Sequence, residues 1–345
     1  MRLPQLALLV VLAQAAGCAQ APLTRIAFGS CSDQKEAQPH WKTIEEQRPD
    51  LLLMMGDNVY GDAKKDPALP ELRDAYARLG SNPGFQRVRD AVPIMATWDD
   101  HDYGMNDGGA EFPFAARSRQ LFLDFWQAPA DDPRRARAGG IYQARTFGIE
   151  GQRVQVIVLD TRSFRSELRP TDEKMAPGKE RYLPDPDPQK TMLGEAQWAW
   201  LAKQLKEPAD LRLVVSSLQV LADDHGFECW RNLPTERDRL FNLLRDTRAN
   251  GVVLLTGDRH SGAIYRRENV LPYPLVEVTA SALNIRSELP KVPPAAHMLG
   301  PLYRSENTGL ATIDWQTRTL LLQLRNAKNN EVGRTIQLKL DNLTP

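Results

Sequence analysis

Four short apolar runs in this chain each stop abruptly at a turn crowded with side chains that bind metals or carry protons. Phe28 leads into Gly29, Ser30 and Cys31. Met55 leads into Gly56, Asp57, Asn58, Val59 and Tyr60, Thr97 into Trp98, Asp99, Asp100, His101 and Asp102, and Thr256 into Gly257, Asp258, Arg259 and His260. Short apolar runs bounded by turn residues read as buried strands. In open α/β sheets, ligands bind in the crevice outside the carboxyl ends of the strands, so four such turns converge on one crevice. This places the chain in the layered α/β class.

The intervening sequence fits that class. Predicted strands over 25–28, 51–55, 94–97, 154–160, 212–216 and 252–256 alternate with predicted helices over 41–47, 69–79, 115–126, 195–206 and 236–249. Thr191, three residues ahead of Gly194, marks a helix start. After residue 263 the pattern turns to short strands over 275–278, 308–314, 320–325 and 334–340, with a turn at Lys328, Asn329 and Asn330. This later part reads as mostly antiparallel. Residues 162–192 are rich in breakers and lack periodicity, the signature of a functional lid or a disordered loop. No linker divides the chain, so residues 19–345 are expected to form one domain. The 44 basic and 44 acidic residues balance, and nothing in that balance argues for a nucleic-acid partner.

The first 18 residues stand apart. Arg2, an apolar run from Leu6 to Ala13 and small residues before Cys18 have the outline of a secretory signal. The run of eight is far below the roughly 20 residues a spanning helix needs. Ala15, Ala16, Gly17 and Cys18 resemble a bacterial lipobox, with Ala15 where Leu is usual. Lipidation at Cys18, with a membrane anchor facing the periplasm or the cell surface, is the expectation, and plain cleavage of a signal peptide is the alternative. For an exported protein, a disulfide between Cys31 and Cys229 is the ordinary use of its two remaining cysteines. The company of Cys31 argues for another use.

A thiolate, a phenolate, an imidazole and carboxylates suit a transition metal, ferric iron above all if Tyr60 binds as the phenolate. Asp100 and Asp258 leave an oxygen-rich second position suited to Ca²⁺, Mg²⁺ or Mn²⁺, and Asp57 can bridge the two. Two metals about 3.5 to 4 Å apart generate a hydroxide nucleophile and clamp the oxygens of a phosphoryl group in transfer. Taken singly, each turn has an ordinary structural reading: a Gly-Asp turn as a helix cap, Cys31 as a small buried apolar residue, His260 as a structural imidazole. Three carboxylates around His101 are different, because they repel one another unless a cation or a network holds them.

At these residues the chain resembles the PhoD-like branch of the calcineurin-like metallophosphoesterases. The resemblance runs in order through FGSC at 28–31, GDNVYGD at 56–62, TWDDHDYG at 97–104, LDTRSFR at 159–165 and TGDRHSG at 256–262. It implies a four-layer α/β/β/α metallophosphoesterase sandwich, an alkaline phosphatase or phosphodiesterase acting on phosphate esters, and an iron-plus-calcium site. By the same resemblance, Cys31, Asp57, Tyr60 and His260 hold Fe³⁺, while Asp57, Asp100 and Asp258 hold the second metal. His101 is then the general acid. Asn58, Arg259 and Asn106 are the expected substrate contacts, although Asn58 and Arg259 fit equally well as support for the neighbouring ligands, and Asn106 and Asp107 also fit a simple turn with Gly108 and Gly109. Arg162 is expected to pair Asp160, and Trp230 to be either a lid contact or local packing. The alternative to an enzyme is a noncatalytic phosphate- or metal-binding lipoprotein on the same fold, which would have no need of His101.

Overall fold

The computed structural model describes residues 21–286 and 295–345. Cys18 and the signal-like segment around it lie outside the described residues. In chain order the first elements are β1 (Arg25–Gly29), α1 (His40–Gln47), β2 (Leu51–Met55), α2 (Pro70–Gly80), α3 (Pro83–Ala91), β3 (Ile94–Thr97), α4 (Asp100–Tyr103), α5 (Ala115–Phe125), α6 (Pro133–Ala136), β4 (Gln143–Phe147) and β5 (Val154–Val158). There follow β6 (Arg169–Pro170), β7 (Tyr182–Leu183), α7 (Gly194–Gln204), β8 (Leu211–Ser216), α8 (Pro234–Asp246), β9 (Val252–Thr256), β10 (Gly262–Arg267), β11 (Leu275–Ala280), β12 (Asn307–Asp314), β13 (Thr319–Asn326) and β14 (Val332–Lys339).

Two six-stranded sheets carry the fold, in the orders β14-β13-β12-β1-β2-β3 and β10-β11-β9-β8-β5-β4. In the first, β1, β2 and β3 are parallel and joined through helices, whereas β12, β13 and β14 form an antiparallel meander. In the second, β5, β8, β9 and β11 are parallel, with antiparallel β4 and β10 at the edges. Side-chain alternation decides what lies on each face. Along β2, Leu51, Leu53 and Met55 join the core shared with the second sheet. Leu52 and Met54 join Trp41, Leu72, Phe85 and Phe122 of the helices outside the first sheet. Trp198 and Leu201 of α7 and Leu240 and Leu244 of α8 pack on the second sheet. The order is helix, sheet, sheet, helix, the four layers that the family resemblance implies. Among the described residues, no helix is long and apolar enough to cross a membrane.

Several departures from the sequence reading have local causes. Helix α3 was not foreseen, yet Asn82 caps it by accepting from the N–H groups of Gly84 (2.8 Å) and Phe85 (3.1 Å), and Pro83 is its first residue. Edge strands β4 and β10 were also unforeseen. Residues 162–192 are ordered from within and from outside: β6 and β7 pair as a short ribbon, and the N–H groups of Arg181 and Tyr182 donate to the Gly226 carbonyl at 3.0 and 2.7 Å. Trp230 is core packing, fully buried, with its indole N–H on Ser216 Oγ at 3.0 Å. Cys31 and Cys229 are both free, so the Cys31–Cys229 disulfide does not form here.

The carboxyl ends of β1, β2 and β3 meet those of β9 and β11 where the two sheets abut. A parallel bridge from Ser30 to Ser281 joins the sheets at that point. All the strand-end turns singled out above open onto it.

Candidate metal centre

Glycine lets the strand ends approach this closely. A Cβ on Gly56 would lie 2.7 Å from Asp99 Cβ, and one on Gly257 would lie 2.7 Å from Ser30 Oγ. The residues that follow are bent sharply outward from their strands. Cys31, Asp57, Asp258 and His260 all adopt left-handed backbone conformations, with φ of 60°, 50°, 67° and 51°. Each such non-glycine conformation costs on the order of 1 kcal/mol and persists where surrounding structure enforces it. Four of them around one crevice aim side chains that regular strands would send to opposite faces.

At one end of the crevice, Cys31 Sγ lies 3.5 Å from Asp57 Oδ2, and Tyr60 Oη lies 3.1 Å from the same oxygen and 3.2 Å from His260 Nε2. Sulfur, phenol oxygen, imidazole nitrogen and carboxylate thus converge, and ligand atoms of Cys31, Asp57 and His260 lie within 4.8 Å of one another. Burial, reinforced by the Asp57 charge, pushes the Cys31 thiol and the Tyr60 phenol well above their ordinary values. Burial, followed by the His101 charge, lowers His260 to about 4, which leaves it neutral and able to ligate.

The other end is acidic. Oxygens of Asp99, Asp100 and Asp258 lie within 4.8 Å of one another, and so do those of Asp100, Asp107 and Glu228. Burial raises Asp99, Asp258 and Glu228 to about 7 each. Asp57 is raised by burial and then by Asp100. Asp100 is held below the ordinary range because His101 and Arg162 outweigh its burial. The buried guanidinium of Arg162 meets Asp99 Oδ1 at 2.5 Å and Glu228 Oε2 at 2.8 Å, and lies 4.0 Å from Asp100 Oδ1. Arg165 adds a second contact to Glu228 at 3.1 Å. With Arg181 on Asp107 and His101 beside Asp57 and Asp100, four cations face six crowded carboxylates (Asp57, Asp99, Asp100, Asp107, Asp258 and Glu228). Acids forced together in this way are the arrangement a divalent cation relieves. A mixed sulfur, nitrogen and oxygen donor set beside an all-oxygen set therefore fits two unlike metals sharing Asp57.

His101 sits over this acid pair, its Nδ1 2.8 Å from Asp62 Oδ2 and its ring 4.3 Å from that of Tyr60. Burial opposes its charge, but Asp100 and Asp57, with Asp62, outweigh it and raise His101 to about 11. Asp102, by contrast, points into the protein and accepts from the N–H groups of Asp57 (3.2 Å), Asn58 (3.2 Å) and Asp99 (2.6 Å), which fixes the two turns relative to each other.

The expected substrate contacts separate. Arg259 lies over the Phe227 ring at 4.9 Å, and its guanidinium makes no hydrogen bond among the described residues, so its donors are available. Asn58 is fully buried and spends its amide N–H groups on the Thr97 carbonyl (2.8 Å) and on Asp102. It has no donor left for a phosphate. Asn106 is exposed and lines a side cavity with Asp107. The expected Arg162–Asp160 pair is corrected as well: only the Arg162 backbone N–H meets Asp160 (3.0 Å), and the guanidinium goes to Asp99 and Glu228. The sequence reading passed over Glu228, Asp62 and Arg181; Arg181 holds both oxygens of Asp107, at 2.9 and 2.7 Å.

Comparison with known proteins agrees with this architecture. The sequence pattern of the PhoD-like phosphatases matches residues 26–318. The alkaline phosphatase D of Bacillus subtilis is 24% identical over 277 residues, covering 70% of this chain and 47% of its own length. The chain thus spans about half the length of that relative. Among solved structures, that of PhoD superposes with a TM-score of 0.69 at 17% identity, covering 94% of this chain and 71% of its own. The purple acid phosphatase PPD1 from yellow lupin seeds superposes with a TM-score of 0.59 at 11% identity, over 93% of this chain and 54% of its own.

Proposed function

The chain belongs to the PhoD-like phosphatase family, and from that premise we propose that it is a phosphoric ester hydrolase of the cell envelope, working with two unlike metals. The observation that carries this reading is the convergence of Cys31, Asp57, Tyr60 and His260 beside Asp57, Asp100 and Asp258. The first set suits Fe³⁺ and the second Ca²⁺, with Mg²⁺ or Mn²⁺ as substitutes. Such a pair, when bound, supplies an activated water and positive charge for the phosphoryl oxygens.

The chain's own residues do the rest. Arg259 offers planar guanidinium donors to phosphate oxygens, and its stacking on Phe227 orients them. Asp62 fixes the His101 ring through Nδ1, which leaves Nε2 to hand a proton to the departing alkoxide. Arg162 holds Asp99 and Glu228 in place behind the second position. Asp102 ties the turn bearing Asp57 to the turn bearing Asp100.

Metal analysis of the purified protein, followed by parallel assays on an aryl phosphate monoester and diester, tests this reading. Two metals per chain and turnover of either ester are expected. A chain that binds inorganic phosphate yet turns over neither ester is instead the binding protein. Export through Cys18 is a separate part of the proposal: Cys18→Ser should leave the protein soluble or unprocessed, and unchanged membrane partition would refute it.

A further inference from the structure

Beside the acid pair, a cavity of about 410 Å³ opens between the strap at residues 170–182 and the turn at Asn106 and Asp107. It shares Asp107 with the centre, because Asp107 N–H donates to Asp100 Oδ2 at 2.8 Å. Its other polar walls are Lys174, Glu180, Arg181 and Tyr182. By formal charge Asp107 and Glu180 balance Lys174 and Arg181, but the two carboxylates are turned to donors within the wall. Asp107 is taken by Arg181 Nη1 at both oxygens and by Tyr182 Oη at 2.7 Å. Glu180 is taken by the backbone N–H groups of Gly178 (3.1 Å) and Gly226. What remains is the exposed Lys174 ammonium, which has no ion pair among the described residues, and the Nε and Nη2 edge of Arg181.

The strap that presents these cations is anchored, not loose. Met175 N–H donates to the Glu180 carbonyl at 2.8 Å, and Thr171 N–H to the Arg181 carbonyl at 2.8 Å. Phe227 connects the cavity to the centre: the Arg259 guanidinium lies 4.9 Å from its ring centroid and the Arg181 guanidinium 5.7 Å. One guanidinium thus serves the scissile phosphate and the other faces the neighbouring cavity, with a single aromatic ring beside both.

We propose that Arg181 and Lys174 form a subsite for a second phosphate carried by the alcohol part of the ester. The preferred substrate class is then esters whose leaving group is itself phosphorylated, since a guanidinium edge and an ammonium together match phosphate oxygens. This deepens the phosphatase reading and rests on it, so its test uses binding instead of turnover.

Calorimetry on the metal-loaded full chain would compare propylphosphonate with propane-1,3-bisphosphonate, neither of which can be hydrolysed. The bisphosphonate should bind about tenfold tighter, and Lys174→Gln should shrink that ratio to about threefold or less; tenfold corresponds to about 1.4 kcal/mol. Arg181→Lys should shrink it too while keeping a cation opposite Asp107. Equal affinities in the native chain, or a ratio untouched by Lys174→Gln, would overturn the subsite. Absence of ester hydrolysis alongside an intact binding ratio would count against the phosphatase reading and not against the subsite.

Discussion

The two ends of the crevice are held by different means. At the sulfur end, Cys31, Asp57 and His260 are each delivered by a left-handed turn at the tip of its own strand, and among the described residues no guanidinium hydrogen-bonds to their side chains. At the acidic end, Asp99, Asp100 and Glu228 are held by the buried guanidinium of Arg162, which arrives from the tip of a different strand. Left-handed backbone places donors at both ends, Asp258 included, whereas long-range charge compensation by a buried guanidinium is added at the acidic end alone. The lesson is that a donor set can be stabilised either by the conformation of its own residues or by a partner far away in sequence, and the two respond differently to mutation.

Asp57 belongs to both ends, so Asp57→Asn should have the largest effect: loss of both metals by elemental analysis and no detectable turnover. Retention of one metal would show that the ends are independent. Next, His101→Ala should cost about 10²- to 10⁴-fold in kcat on an alkyl phosphate ester, the usual contribution of a general acid. The loss on a nitrophenyl ester, whose leaving group needs little help, should be far smaller. Equal losses on the two substrates would mean that His101 positions phosphate instead.

Arg162→Leu sharpens the contrast directly. It strands Asp99 in the interior and leaves Glu228 to Arg165 alone, and removing one partner of a buried pair costs about 3–5 kcal/mol, measurable by urea unfolding. Cys31→Ser should lower metal content at the sulfur end and shift the urea midpoint much less. If the two variants lost equal stability, the proposed difference in construction would fall.

Glu277 supplies the smallest and cleanest test, because it is a buried acid with no cation partner among the described residues. It accepts from Val220 N–H (3.1 Å), Leu221 N–H (2.5 Å) and Thr256 Oγ1 (2.7 Å), and burial raises it from 4.5 to about 7. The folded state therefore holds this proton more tightly than the unfolded chain. Its contribution to stability is fully present below about pH 4.5 and is lost as pH rises through about 7, amounting to roughly 3 kcal/mol at about 1.4 kcal/mol per pH unit. Relative to the native chain, Glu277→Gln should gain stability steadily across that window. A flat difference would show that burial alone does not set the carboxyl's behaviour.

The same contrast explains what could be read from the sequence. Cys31, Asp57, Tyr60, Asp100, Asp258 and His260 were visible because each follows an apolar run by a few residues, and strand-end position is a local pattern. The first-sheet strands and the Lys328–Asn330 turn were visible for the same reason; Asn330 adopts φ 61° in the link between β13 and β14. Glu228 was invisible because its role depends on Arg162, 66 residues away. Whether Asn58 contacts substrate or supports its neighbours could not be read locally, because the acceptor that consumes its amide, Asp102, lies 44 residues on. Two signals were available: a cation directly after Asp160 and Thr161, and an acid enclosed by Phe227 and Cys229. Each marks a charge that burial obliges to find a partner.

The bridge between Ser30 and Ser281 has a consequence for the order of events during synthesis. It brings together segments 251 residues apart, and the donors on either side of it come from residues 31–100 and 258–260. A chain that has emerged only as far as β8 has Cys31 and Asp57 but neither Asp258 nor His260. No complete donor set exists until β9 and its following turn have docked. A cation whose binding needs the complete set is therefore selected only at the end of folding, by a crevice that both sheets have already closed.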